Sequence, residues 1–232
     1  MDPDKELVGG VPSPHHLMAT EIIDLDHPLV REFVATATHG LSNSNEQLRA
    51  LFTAVRDEIR YDPYNVQLTV EDMRASTVLR EKVGFCISKA VLLAAGARIL
   101  GIPSRLGFAD VKNHLASPKL LSMMNTDLFV FHGFTELWLE ARWVKATPAF
   151  NRTLCEKIGV PVLNFDGATD AMLQQADSSG KRFMEYVLDR GSYPDVPLSI
   201  IRREFQNFYP DLMDGPGYRL KGKFENEVSL ET

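Results

Sequence analysis

"VGFCISKAVLLAAGARILGIPSR" (Val83–Arg105) is the stretch whose reading decides the fold. From Cys86 to Leu100 it is apolar around most of a helical circumference, interrupted chiefly by Ser88, Lys89 and Arg98. Gly101 just past the end and Pro103 beyond it are stop signals. A helix apolar on nearly all sides belongs deep inside a domain rather than on its surface. At its first position stands Cys86, one of two cysteines in the chain. A free thiol there is either a small core hydrophobe or a nucleophile whose pKa a helix N-terminus lowers.

Working outward, "PSRLGFADV" reads as a strand, and "LFVFHGFTELWLEARWVKATPAF" carries the clearest β signal in the chain. Aromatic and branched residues run from Leu128 to Leu139, a polar turn falls near Glu140 to Arg142, and Trp143-Val144 begins a return strand. The first of these strands is apolar on both faces, which predicts a covered, central position. On the N-terminal side, "HPLVREFVATATHGL" has a helical period stopped by Gly40. Asn43 or Ser44 caps a second helix whose Leu48, Leu51, Phe52, Val55 and Ile59 form one stripe. "TVEDMRASTVLREKVGF" is polar and reads as a loop with one or two helical turns. "DAMLQQADSSGKRFMEYVLDRGSY" suits a helix or an extended arm, and "PLSIIRREFQNFY" an amphipathic helix. The resulting division is a flexible N-terminus over 1–16, a single domain over 17–213 and a peripheral, turn-rich tail over 214–232.

The 232 residues are 44% hydrophobic and 24% charged, enough for a sizeable core. A net charge of −6 with scattered lysine and arginine argues against a nucleic-acid partner. The start is acidic and Pro/Gly-rich, unlike a secretory signal. No stretch reaches the ~18 apolar residues of a membrane span. These features predict a soluble protein of the reducing cytoplasm, where a free thiol persists. Two cysteines 69 positions apart make neither a disulfide framework nor a zinc site. His15, His16, His27 and His39 show no metal-ligand spacing, His114 reads as a surface-loop residue, and no phosphate-cradling or dinucleotide-binding glycine motif is present, so no cofactor or metal is expected.

A thiol nucleophile needs a base for its proton and a third group to orient the base. Cys86 at a helix start and His132 inside a strong strand are candidates for the first two roles. "GFCISKAVLLAAGARILGIPSR" resembles the transglutaminase-like motif of Gly-x-Cys, a helix, then Arg-x-x-Gly-Ile-Pro-x-Arg. "HGFTELWLEARWVKATP" resembles its partner motif, and "LRALFTAVRDEIRYD" is similar to the helix that precedes the cysteine there. The resemblance spans roughly residues 28 to 151. It implies an α+β, papain-like or transglutaminase-like core, with N-terminal helices and a buried Cys helix packed on an antiparallel sheet. It further implies a thiolate attack on an amide or ester carbonyl, with Cys86 as nucleophile, His132 as base, and a peptide, protein or small amide as substrate.

The chain departs from the motif at the third group. Where the family carries Asp in Trp-Val-x-x-Asp-Pro, this chain has Thr147, 15 positions after His132. A hydroxyl accepts an imidazole N–H but brings no charge, and loss of a triad carboxylate costs about four powers of ten in the serine-protease reference case. Asn151 and Asp166 are the other candidates. Two further readings stay open: an impaired scaffold that binds a ligand or partner in the former cleft, and an acyltransferase similar to arylamine N-acetyltransferases. Cys155 matches no motif and reads as structural. Trp143 reads as a wall residue, Arg98 and Arg105 as supports for acidic groups or loops, and Tyr61 and Tyr64 as candidates to line a cleft.

Overall fold

A computed structural model describes residues 10–114, 116–173, 176, 180 and 183–227. Residues 1–9 of the expected flexible start and 228–232 of the expected tail lie outside the described residues. After a 3-10 turn at Pro14–Leu17, the chain forms helices α1 (Pro28–Ala37) and α2 (Ser44–Glu58). Asn43 caps α2, its side-chain oxygen accepting from the Asn45 and Glu46 N–H groups at 2.9 and 3.2 Å. Two short strands, β1 (Arg60–Tyr61) and β2 (Asn65–Gln67), lead into α3 (Val70–Met73) and α4 (Ala75–Glu81).

The polar stretch expected to be mostly loop is therefore largely helical. Thr69 caps α3 through the Asp72 N–H at 3.0 Å. The hydroxyls that make α4 look exposed are buried instead, Ser76 being bonded through both its backbone N–H and its Oγ to Asp24. Their polarity is satisfied inside the protein, for Ser76 by a carboxylate 52 positions away, so a hydropathy pattern misreads them.

Strand β3 (Val83–Gly84) pairs in parallel with β1 and delivers the chain to α5 (Cys86–Ile99). Every residue of α5 from Ile87 to Arg98 is buried, as its all-round apolarity predicts. Beyond it run β4 (Ser104–Asn113), α6 (Pro118–Met124), β5 (Leu128–Leu139), β6 (Arg142–Ala146), α7 (Arg152–Ile158), β7 (Met184–Tyr193), α8 (Leu198–Phe208), β8 (Gly217–Arg219) and α9 (Phe224–Glu227). Four of the strands form one antiparallel sheet in the order β6-β5-β4-β7, with β5 internal as expected. The mixed α+β architecture, with a buried Cys helix on an antiparallel sheet, agrees with the sequence reading. The segment read as helix or extended arm is extended over β7, and β8 pairs antiparallel with β2. Among the described residues no helix is long and apolar enough to cross a membrane.

Buried charges knit the layers. Arg98 reaches the carbonyls of Met18, Ser104 and Pro194 at 2.6 to 2.9 Å, which supports three loops at once. Arg105 pairs with Glu136 at 2.5 Å and lies 4.2 Å from the centre of the Trp143 ring. Lys89, on α5, donates to the Arg56 and Ile59 carbonyls at 2.9 and 2.5 Å, satisfying the C-terminal end of α2 from outside.

Burial pulls the Lys89 ammonium down from 10.5 to about 7. Between those values the unfolded chain binds the proton that the folded chain releases, so stability rises with pH across that window. Above about 9 the thiols of partly buried Cys86 and buried Cys155 act in the opposite direction, because desolvation raises their folded values. Urea midpoints are therefore expected to climb from about pH 7 to about pH 9 in the native protein. Lys89→Met should flatten that climb; an unchanged slope in the variant would show that Lys89 is not its source.

Candidate active site

Cys86 is the first residue of α5, where the backbone N–H groups of Gly133, Ile87 and Cys86 itself favour the thiolate form. The local sequence accounts for this. The Phe85 N–H donates to Ser88 Oγ at 3.0 Å, which closes the first turn and leaves the thiol at the helix mouth. Gly133 allows β5 to pass close over that mouth. A Cβ built there would lie 2.9 Å from Ile87 Cα and 3.0 Å from Ile87 Cγ1.

His132 precedes Gly133 on β5 and sits opposite Ala109 of β4. Just before it the ladder slips, with Val130 and Phe131 sharing the single partner Asp110, a β-bulge that re-aims the strand at His132. Phe131 adopts φ +55°, a left-handed conformation that costs a bulky residue about 1–3 kcal/mol and persists only where the surroundings over-determine it. Here they do. Asp110 accepts the Phe131 N–H at 3.0 Å and is gripped by Arg190 through contacts of 2.7 to 3.0 Å. Arg190 also bonds Glu204 at 3.1 Å and stands 5.1 Å from the Phe131 ring centre. The Tyr209 hydroxyl accepts from the Val130 N–H at 2.6 Å and donates to the Leu128 carbonyl at 2.9 Å. Pattern reading missed Asp110, Arg190, Tyr209 and Gly133, because the contacts that give the first three a role span 21 to 81 positions.

Cys86 and His132 line one cavity of about 60 Å³. The imidazole is 6% exposed, and its Nε2 is buried without a hydrogen-bond partner. Burial pushes the Cys86 thiol up to about 11, outweighing the N–H groups that favour the thiolate. Burial likewise pushes His132 down to about 4. The resting pair is thus a neutral thiol and a neutral imidazole rather than an ion pair. Tyr61, Tyr209 and Tyr218 share the cavity, and their hydroxyls are raised by burial first and by the Cys86 thiolate among lesser causes.

The hydrogen bonds of the three candidate orienters run to groups other than His132. The Thr147 hydroxyl is directed to Met172 Sδ at 3.5 Å. Asn151 accepts from the Tyr61 N–H at 3.0 Å and donates to Thr153 at 2.7 Å and Glu225 at 3.2 Å. Asp166 is exposed and caps its own loop through Ala168 and Thr169. Of the two tyrosines expected at a cleft, Tyr61 lines the cavity, while the Tyr64 hydroxyl bonds Ser117 and Glu227 at 2.9 and 2.7 Å. Cys155 is buried in α7. The C-terminal segment adds walls that pattern reading did not anticipate, Tyr218 from β8 and Phe224 from α9. Among the described residues no group of three or more His, Cys, Asp or Glu side chains is arranged to hold a metal ion.

Several solved structures are similar to this chain. A candidate cysteine protease from Cytophaga hutchinsonii is 13% identical, with a TM-score of 0.44, over 90% of this chain and 60% of that one. The arylamine N-acetyltransferase from Mycobacterium abscessus is 16% identical, with a TM-score of 0.43, over 82% and 72% of the two chains. Red sea bream transglutaminase is 14% identical, with a TM-score of 0.36, over 69% and 37%. At such scores these likenesses add no weight to an assignment, and this chain spans only 60% of the Cytophaga protein. No curated protein matches the chain in sequence. The family model of the transglutaminase-like superfamily, by contrast, matches residues 29–148, a little over half of the chain, and takes in both the Cys86 helix and the His132 strand. This chain belongs to the transglutaminase-like superfamily.

Proposed function

We propose that the protein is a thiol-dependent enzyme that attacks an amide or peptide carbonyl and passes through an acyl-enzyme. The observation that carries this reading is the shared cavity, lined both by a thiol at a helix mouth and by an imidazole whose buried Nε2 has no hydrogen-bond partner. Cys86 Sγ is the nucleophile. His132 takes its proton and returns it to the leaving group, and water or an amine then resolves the thioester. The backbone N–H groups of Gly133 and Ile87, which favour negative charge at Cys86, are suited to stabilise the developing oxyanion. Both cysteines are unpaired, which suits a reducing compartment such as the cytoplasm.

Because the free pair is neutral, proton transfer accompanies attack instead of preceding it. The acid limb of kcat/KM is then expected near the depressed His132 value of about 4 and the alkaline limb near the raised Cys86 value of about 11. The profile should be flat from about pH 5 to about pH 9. An acid limb centred near the ordinary imidazole value would contradict this neutral-pair mechanism.

The engagement of Thr147 with Met172 and of Asn151 with Tyr61 favours one second reading, a scaffold that binds without turnover. The two separate on one experiment. Native protein and Cys86→Ala are screened against a library of peptides and small amides. Turnover by the native protein that the variant loses supports the enzyme. No turnover by either, together with retained ligand binding, supports the scaffold.

A further inference from the structure

We infer that the cavity beside Cys86 and His132 is an acyl-binding pocket for an uncharged alkyl or aryl group, so that the substrate is an amide or ester of a hydrophobic acid. The chemistry rests on the acyl-enzyme reading above; the binding does not.

Nine of the lining side chains are aromatic apart from His132, and none is Lys, Arg, Asp or Glu. The rest are mainly aliphatic, such as Val111, Leu120 and Met124. The space of about 60 Å³ is several times the ~10–15 Å³ that one water requires. A chain of a few carbons, or one ring with some give in the walls, suits it better than an ordered water cluster would. The polar groups on those walls are the Cys86 thiol, His132, Asn113 and three tyrosine hydroxyls, of which that of Tyr209 is already engaged; the rest of the lining is apolar.

Charges close to the cavity are paired among themselves. Asp110 is held by Arg190 at 2.7 Å, and Asp62 lies 3.0 Å from Arg60. Glu227 pairs with Lys119 at 2.9 Å. A carboxylate or ammonium drawn into the pocket would lose its water and find no free counter-ion, a penalty an apolar group does not meet. The wall itself is well braced. The Phe224 ring meets Tyr61 and Tyr64 edge-on at 5.8 and 5.5 Å, while Glu225 bonds Asn151 at 3.2 Å.

In the reaction, the apolar group R of R–CO–X occupies the pocket and its carbonyl carbon meets Sγ. The S–C bond forms and the C–X bond breaks. The thiol proton passes through His132 Nε2 to X, which leaves as HX. Water then cleaves the thioester, giving R–COOH and restoring the thiol, or an amine takes the acyl group in its place.

The test needs no turnover. Native protein is alkylated with iodoacetate, iodoacetamide, N-hexyl-iodoacetamide and N-phenyl-iodoacetamide, with mass mapping at Cys86 and glutathione as the reference thiol. Relative to glutathione, Cys86 is expected to prefer the hexyl and phenyl reagents over iodoacetate by about tenfold or more. A series of N-alkyl reagents should gain about fourfold per methylene until the pocket is full. A preference no greater than that of glutathione overturns the inference. Phe224→Ala should move the chain-length optimum to longer reagents, and Met124→Trp should shorten it; an optimum unmoved in both folded variants also overturns it.

Turnover of nitrophenyl esters from acetyl to hexanoyl then separates the two claims. Cys86-dependent hydrolysis that shows no chain-length preference sinks the pocket and leaves the enzyme standing. Strong alkylation preference without Cys86-dependent hydrolysis sinks the enzyme and leaves the pocket.

Discussion

A single methyl group added at Gly133 should lower turnover by about a hundredfold while the domain still folds, because misplacement by about 1 Å is enough for a loss of that size. The reason lies in the approach of β5 to α5. The new Cβ would fall 2.9 Å from Ile87 Cα, and that atom is backbone, which no rotamer change can move. Strand and helix must separate, which shifts His132 relative to Cys86 and weakens the support that the Gly133 N–H gives the thiolate. Overpacking of this kind costs about 1–3 kcal/mol, within the margin of an ordinary domain. Gly133→Ala should thus keep the native circular dichroism spectrum, with a modestly lower melting temperature, and lose activity mainly in kcat. Full activity in the folded variant would show that the close approach is incidental to the chemistry.

The second large effect is expected at Asp110. Its carboxylate is almost wholly buried, holds the Phe131 N–H and is held in turn by Arg190. Asp110→Ala leaves that N–H unpartnered and removes one of the two carboxylates that Arg190 binds. Breaking a buried ion pair typically costs about 3–5 kcal/mol. Arg190 keeps Glu204 and is itself partly exposed, so about 2–4 kcal/mol is the expected loss here. Asp110 acts on the site through the bulge rather than by touching a substrate. Its removal should therefore lower kcat more than it raises KM, measured at a temperature where the variant is folded. Asp110→Asn keeps an acceptor for the Phe131 N–H and should recover part of that kcat. If both variants lose stability and neither changes kcat per folded molecule, the bulge does not position His132.

These two expectations lie on opposite sides of what pattern reading reaches. The Cys86 helix was legible because a run of apolar residues at nearly every helical position, ended by Gly101, has only one economical place, the core. Strand β5 was legible for a similar reason, since apolar residues on both of its faces demand neighbours on both faces. The Thr69-capped α3 and the buried hydroxyls of α4 were not, because satisfied polar groups look like solvent-facing ones in a hydropathy pattern. The expectation that a helix N-terminus would depress the Cys86 pKa was local physics applied without its surroundings. The N–H groups do favour the thiolate, but the aromatic walls that desolvate it come from distant segments, including Tyr218 and Phe224 near the end of the chain.

By itself, then, the order of residues determined which elements form, that α5 is interior and β5 central, and that one thiol and one imidazole stand on the elements that meet. Those are properties of short windows, set by periodicity, caps and stop signals. Only the folded chain decided that both side chains open into one uncharged cavity, that Thr147, Asn151 and Asp166 bond elsewhere, and that Asp110, Arg190 and Tyr209 clamp the bulge before His132. Burial, counter-charge and register each depend on groups brought together across many tens of residues, and no window of sequence contains them.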